Sequence, residues 1–96
     1  MNVVNLNELD RNEDLNIRKL EDIYYFVIRG NAYEANEIGA TIVNAVGRDM
    51  TIDELCSRIA KKYDNKDINQ IKEDVNDYIN YLLSEKIIIH NNSTNE

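Results

Sequence analysis

Cys56 and His90 are the only cysteine and the only histidine among the 96 residues, so thiol or imidazole chemistry would have to be built on them. Cys56 falls on an apolar helical stripe with Leu55, Ile59 and Ala60, where a buried thiol behaves as a small hydrophobe rather than a nucleophile. A single cysteine excludes an internal disulfide and any cysteine-based zinc cluster, and one histidine leaves the common imidazole metal sites short of ligands. Carboxylates are plentiful, 18 in all, but they fall opposite the apolar stripes on solvated faces. A general acid–base pair needs a concave, desolvated setting. Gly30, Gly39 and Gly47 form neither the dinucleotide-binding nor the P-loop glycine pattern. The inventory implies a protein that is not an enzyme and that uses no cofactor and no metal.

Composition narrows the class further. Ninety-six residues suffice for one domain, and a hydrophobic share of 43% supplies a genuine core. The apolar runs at residues 24–28 and 87–89 are far shorter than the roughly 20 residues of a membrane span. Residues 1–14 have neither the basic start nor the apolar stretch of a signal peptide, so the expected location is cytoplasmic. The formal net charge of -7 repels phosphate backbones and anionic lipids, which argues against nucleic-acid and membrane partners.

The elements that would hold a site follow from patterning. Residues 1–14 are polar and aperiodic and read as a flexible N-terminal arm; residues 91–96 read as a disordered tail. Between them lies a domain over residues 15–90. Leu15, Ile17 and Lys19 alternate with Asn16 and Arg18 as a short strand, and Glu21-Asp22 makes a turn. Residues 23–28, Ile-Tyr-Tyr-Phe-Val-Ile, are β-branched and aromatic and form a strong second strand. Gly30 and Asn31 tolerate the positive φ of a hairpin turn, and residues 32–35 return as a third strand. Asn36 is placed to cap a first helix that Gly47 stops. Thr51 and Glu54 match a capping box for a second. Asp67 opens a third, longer helix whose Ile68, Ile71, Val75, Tyr78, Ile79 and Leu82 face inward. Ile87-Ile88-Ile89 closes the chain as a short strand. The fold class is α+β and winged-helix-like: a three-stranded antiparallel β-meander, three α-helices and a short terminal strand.

Several stretches then fall in a familiar order. In Tyr33-Glu34-Ala35-Asn36-Glu37-Ile38-Gly39-Ala40, the pair Ala35-Asn36 stands where the PqqD-like family usually has Leu-Asn, and Gly39-Ala40 falls on its Gly-Ala. Thr51-Ile52-Asp53-Glu54-Leu55 is similar to that family's second-helix start, Ala60-Lys61-Lys62-Tyr63-Asp64 to that helix's end, and Glu73-Asp74-Val75 to its Glu-Asp-Val. Residues 81–88 occupy the place of its last helical turn and closing strand. No single motif is diagnostic; the ordered set spans residues 15–89 and resembles the PqqD-like family, the recognition elements of ribosomally made, post-translationally modified peptides. Two departures stand out. Ala35 replaces Leu, loosening the junction between strand and helix, and Lys86 replaces the Gly after the last helix, which is expected to end that helix without a left-handed cap.

The resemblance implies a non-catalytic peptide chaperone of natural-product biosynthesis. Such a domain binds the leader of a precursor peptide as an added antiparallel strand, in a groove between the third strand and the third helix. It presents that precursor to a modifying enzyme such as a radical SAM enzyme, a cyclase or a leader peptidase. Carried onto this sequence, the strand wall is Asn31, Ala32, Tyr33, Glu34 and Ala35. The helix wall is the flank bearing Asp74, Tyr78, Tyr81 and Glu85, with the opposite flank, Lys72 and Leu83, as its rival. Tyr78 reads equally well as core, and Tyr81 as an ordinary surface aromatic. Lys72 and Lys86 could meet acidic leader residues. An exposed strand edge could also pair with a second copy in a homodimer. A winged-helix DNA-binding regulator is the alternative that the element order permits, but Glu73, Asp74, Asp77 and Glu85 on the third helix oppose a basic footprint. A small subunit docking a partner helix is the remaining reading.

Overall fold

The structure, a computed structural model, describes residues 3–64 and 67–91. The meander forms from Asn16–Leu20 (β2), Ile23–Ile28 (β3) and Asn31–Ala35 (β4), with β3 in the middle of the sheet. Two tight turns fix its register. Leu20 pairs with Ile23 across Glu21-Asp22, and Ile28 pairs with Asn31 across Arg29-Gly30. The positive φ values of the second turn fall on Arg29 (50°) and Gly30 (83°), a mirror-image turn whose twist suits paired strands. Asn31, expected in the turn, is instead the first residue of β4. Ile17, Phe26 and Tyr33 lie opposite one another across the three strands and belong to or pack against the core.

The helices are Glu37–Ala45 (α1), Ile52–Lys62 (α2) and Ile68–Ser84 (α3). Each starts on the cap that the sequence offers. Asn36 accepts from the Gly39 amide, Thr51 and Glu54 complete a reciprocal capping box, and Asp67 accepts from the Gln70 amide. The inward stripe of α3 is Ile71, Val75, Ile79 and Leu82. Ile68, expected inside, is exposed at the first turn, ahead of the inward stripe that begins at Ile71. The architecture is the α+β, winged-helix-like arrangement of meander, three helices and closing strand.

The last turn of α3 corrects one expectation. Lys86 takes the left-handed conformation at φ 62°. Its amide donates to the Leu83 carbonyl at 3.1 Å, and the Ile87 amide donates to Leu82 at 3.0 Å. These are the two bonds of a Schellman cap. The cap therefore forms on lysine, with backbone strain that glycine would avoid.

A larger correction concerns the expected arm. A single 3-10 turn at Leu6–Glu8, capped by Asn5, leads into Leu9–Arg11 (β1), which pairs antiparallel with Ile88–His90 (β5). Leu6 and Leu9 are fully buried. The Leu6 amide donates to Met50, its carbonyl accepts from Gly47, and the Ile52 amide donates to Val4. The physical reason is that Leu6 and Leu9 are part of the one hydrophobic core, so residues 3–14 belong to the domain. Asn12 is the one buried polar side chain among the described residues. It donates to the Lys86 carbonyl at 2.9 Å and accepts from the Asp14 amide at 2.9 Å, binding this segment to the end of α3. Of the expected tail, Asn91 donates its amide to Glu8; residues 92–96 lie outside the described residues.

Candidate functional site

β4 has β3 on one side and no strand on the other among the described residues. In a two-residue hairpin the flanking pair exchanges hydrogen bonds, and bonded and non-bonded pairs then alternate. The register therefore ties the backbone of Asn31, Tyr33 and Ala35 to β3 and turns the N–H and C=O groups of Ala32 and Glu34 outward. The side chains of Asn31, Tyr33 and Ala35 share the core face, and those of Ala32 and Glu34 the outer face. β2 is the other edge of this sheet, but it carries Arg18 and Lys19, charges of the kind that guard an edge.

The helix beside this edge is α3, and side-chain contacts fix which of its flanks faces β4. The Tyr33 hydroxyl donates to Glu85 Oε1 at 3.1 Å; that bond to a carboxylate pushes the Tyr33 phenol above its ordinary pKa. At the other end, a Cβ added to Gly39 would lie 2.6 Å from the Tyr78 hydroxyl and 3.3 Å from the Ala35 Cβ. A side chain at this position would force the Tyr78 ring to shift from its place against α1. Tyr78 is half-buried, and desolvation pushes its phenol up as well. Its ring sits 5.8 Å from that of Tyr81, tilted by 31°, and Tyr81 is exposed. Tyr78, Tyr81 and Glu85 thus lie along one flank of α3, an aromatic face that carries hydroxyls.

Asp74 lies at the N-terminal end of this flank, where its carboxylate accepts from Gln70. It borders a cavity of about 270 Å³ under Asn36 and Tyr78, whose apolar lining comes from Ile38, Ile42, Ile59, Tyr63, Ile71 and Val75. The Tyr63 hydroxyl is out of solvent and makes no hydrogen bond of good geometry, although Glu37 is a near neighbour. Glu37 is engaged by Lys62 at 3.1 Å, a contact that holds its carboxyl below the usual range. Sequence reasoning missed this cavity because its residues are spread over three helices and look like ordinary core. The Gly-Ala step at Gly39 was the one available signal.

Lys72 does not share this wall. It pairs with Asp53 of α2 at 2.9 Å, on the opposite flank of α3, and Leu83 on that side packs against the core. That flank of α3 is bridged to α2 by an exposed ion pair. Cys56 is buried, and burial pushes its thiol up, away from thiolate chemistry. Among the described residues no group of three or more His, Cys, Asp or Glu is placed to hold a metal ion, and no helix is long and apolar enough to cross a membrane.

The sequence profile of the family described as coenzyme PQQ synthesis protein D (PqqD) matches residues 14–88. No curated protein and no solved structure matches the chain.

Proposed function

The chain belongs to the PqqD family, and from that premise we propose that it is a non-catalytic adaptor that binds a precursor peptide's leader as an added strand along β4. The observation that carries this reading is the unpaired edge of β4 beside the aromatic flank of α3. Ala32 and Glu34 offer two outward N–H and C=O pairs, enough to bind an antiparallel segment through its backbone. Alternate side chains of that segment would face Tyr78 and Tyr81. A large apolar side chain near the Ala35 end has the cavity beneath Asn36 and Tyr78 to enter. Recognition of this kind leaves chemistry to a separate enzyme, a radical SAM enzyme, cyclase or leader peptidase. Tethering raises the local concentration of the precursor without dictating the reaction.

A displayed library of random peptides, sorted with the fluorescently labelled chain, supplies ligands for the test. Glu34→Pro removes an amide that β3 does not use, so the sheet should tolerate it as edge strands do. Binding of the selected peptides should nevertheless fall about tenfold or more, because a backbone bond is lost and the ring blocks the incoming strand. Glu34→Ala should bind nearly as the parent does. A folded Glu34→Pro variant that binds undiminished would remove the strand-addition reading.

A further inference from the structure

At the opposite end of β4 from the apolar cavity, the local charge reverses. Four of the chain's eleven Lys and Arg residues, Arg11, Arg29, Arg48 and Lys86, line one concavity, against Asp10 and Glu13 as its only carboxylates. This occurs in a protein of net charge -7. Arg29 is paired with Asp14 at 3.2 Å, and Arg11 reaches only the Asn44 amide oxygen, at 3.4 Å. The ion pairs among the described residues include none to Arg11, Arg48 or Lys86. Two of the four cations also sit on left-handed backbone, Arg29 at φ 50° and Lys86 at φ 62°, where glycine or asparagine would be less strained. Lys86 is held there from both sides, by its helix cap and by Asn12 on its carbonyl.

Two residues of the concavity adjoin the end of the groove along the chain. Arg29 precedes the first residue of β4 by two positions, and Lys86 follows Glu85, which bonds Tyr33 across the groove. A strand antiparallel to β4 enters at Ala35 and leaves at Asn31, toward these cations. We infer that the basic concavity receives an acidic stretch of the same precursor peptide, immediately C-terminal to the segment paired with β4. The inference rests on the strand-addition reading and gives the ligand a polarity. A large apolar residue comes first, for the cavity at Asn36 and Tyr78. Aspartates or glutamates follow after roughly the five residues that β4 spans.

The test sorts the displayed random library on the parent chain and on a triple variant, Arg11→Gln, Arg48→Gln and Lys86→Gln, all three at exposed positions. Peptides selected on the parent should carry acidic residues C-terminal to an apolar one. They should bind the triple variant about tenfold more weakly, and the parent more weakly as salt is raised. Peptides selected on the variant should keep the apolar residue and lose the acidic stretch. Acidic residues that are absent, or that lie N-terminal to the apolar one, would overturn the inference, and so would equal affinity for both proteins. If Glu34→Pro abolishes binding while the triple variant does not, this inference alone falls. If Glu34→Pro leaves binding intact, the strand reading fails and this inference with it. An acidic peptide without any apolar residue that binds as tightly as the selected ones would place the concavity outside the groove's ligand.

Discussion

Gly39 shows how one missing side chain shapes this site. The Tyr78 hydroxyl occupies the space that a Cβ would need, with Ala35 closing the other side. Gly39→Ala should lower stability by roughly 1–3 kcal/mol through overpacking. Tyr78→Phe in that background should recover part of the loss, because it removes the nearest clashing atom. Denaturant midpoints of the two variants check this; a Gly39→Ala protein as stable as the parent would contradict the packing described. Lys86 carries the opposite expectation. Lys86→Gly should raise stability by about 1 kcal/mol by relieving left-handed strain in a cap that already forms, read from the same urea curves. Sequence logic identified the missing glycine but not the outcome. The Asn12 bond to the Lys86 carbonyl and the pairing of β5 hold the cap closed, and neither is visible locally. The Glu37–Lys62 pair adds a pH signature. Because the pair holds the Glu37 carboxyl below its ordinary value of 4.5, its contribution is present above that value and is lost as the pH falls through the lowered one. The stability difference between parent and Glu37→Gln should therefore be small at neutral pH, as befits an exposed pair, and should vanish in acid.

Among the elements, the meander and the helices were legible because each carries its own local signal. The run at β3 is β-branched and aromatic, and each helix begins on an Asn, Thr or Asp that the structure uses as its cap. The N-terminal segment gave no such signal. Leu6 and Leu9 are isolated apolar residues in a polar stretch, and β1 has only three residues. Its partner β5 lies about eighty positions along the chain, and pairing at that range leaves no periodicity to read. Leu9→Ala should cost about 2–5 kcal/mol, as for a fully buried leucine. An exposed arm would make the same substitution neutral, so a thermal or urea melt decides between the two. Most of this segment precedes the family match at residues 14–88; β1, wholly outside the matched region, pairs with β5 at its end.

Across the whole molecule, the two ends of β4 differ: an apolar cavity lies where β4 runs into α1, and a basic concavity lies near where β4 begins. The sequence alone pointed to the two walls through the family resemblance, but the flank of α3 that faces β4 emerged only from long-range contacts, Tyr33 to Glu85 and Tyr78 to Gly39. The basic concavity was not legible either, because its cations come from four separate segments of an acidic chain. Whether β4 accepts a further strand is read from amide hydrogen exchange with a library-selected peptide. In the free protein the Ala32 and Glu34 amides should exchange quickly, while those of Tyr33 and Ala35 are protected by β3. On binding, Ala32 and Glu34 should become protected and shift together with Tyr78 and Tyr81. Saturating peptide that leaves the Ala32 and Glu34 amides exchanging as fast as before would contradict strand addition at β4.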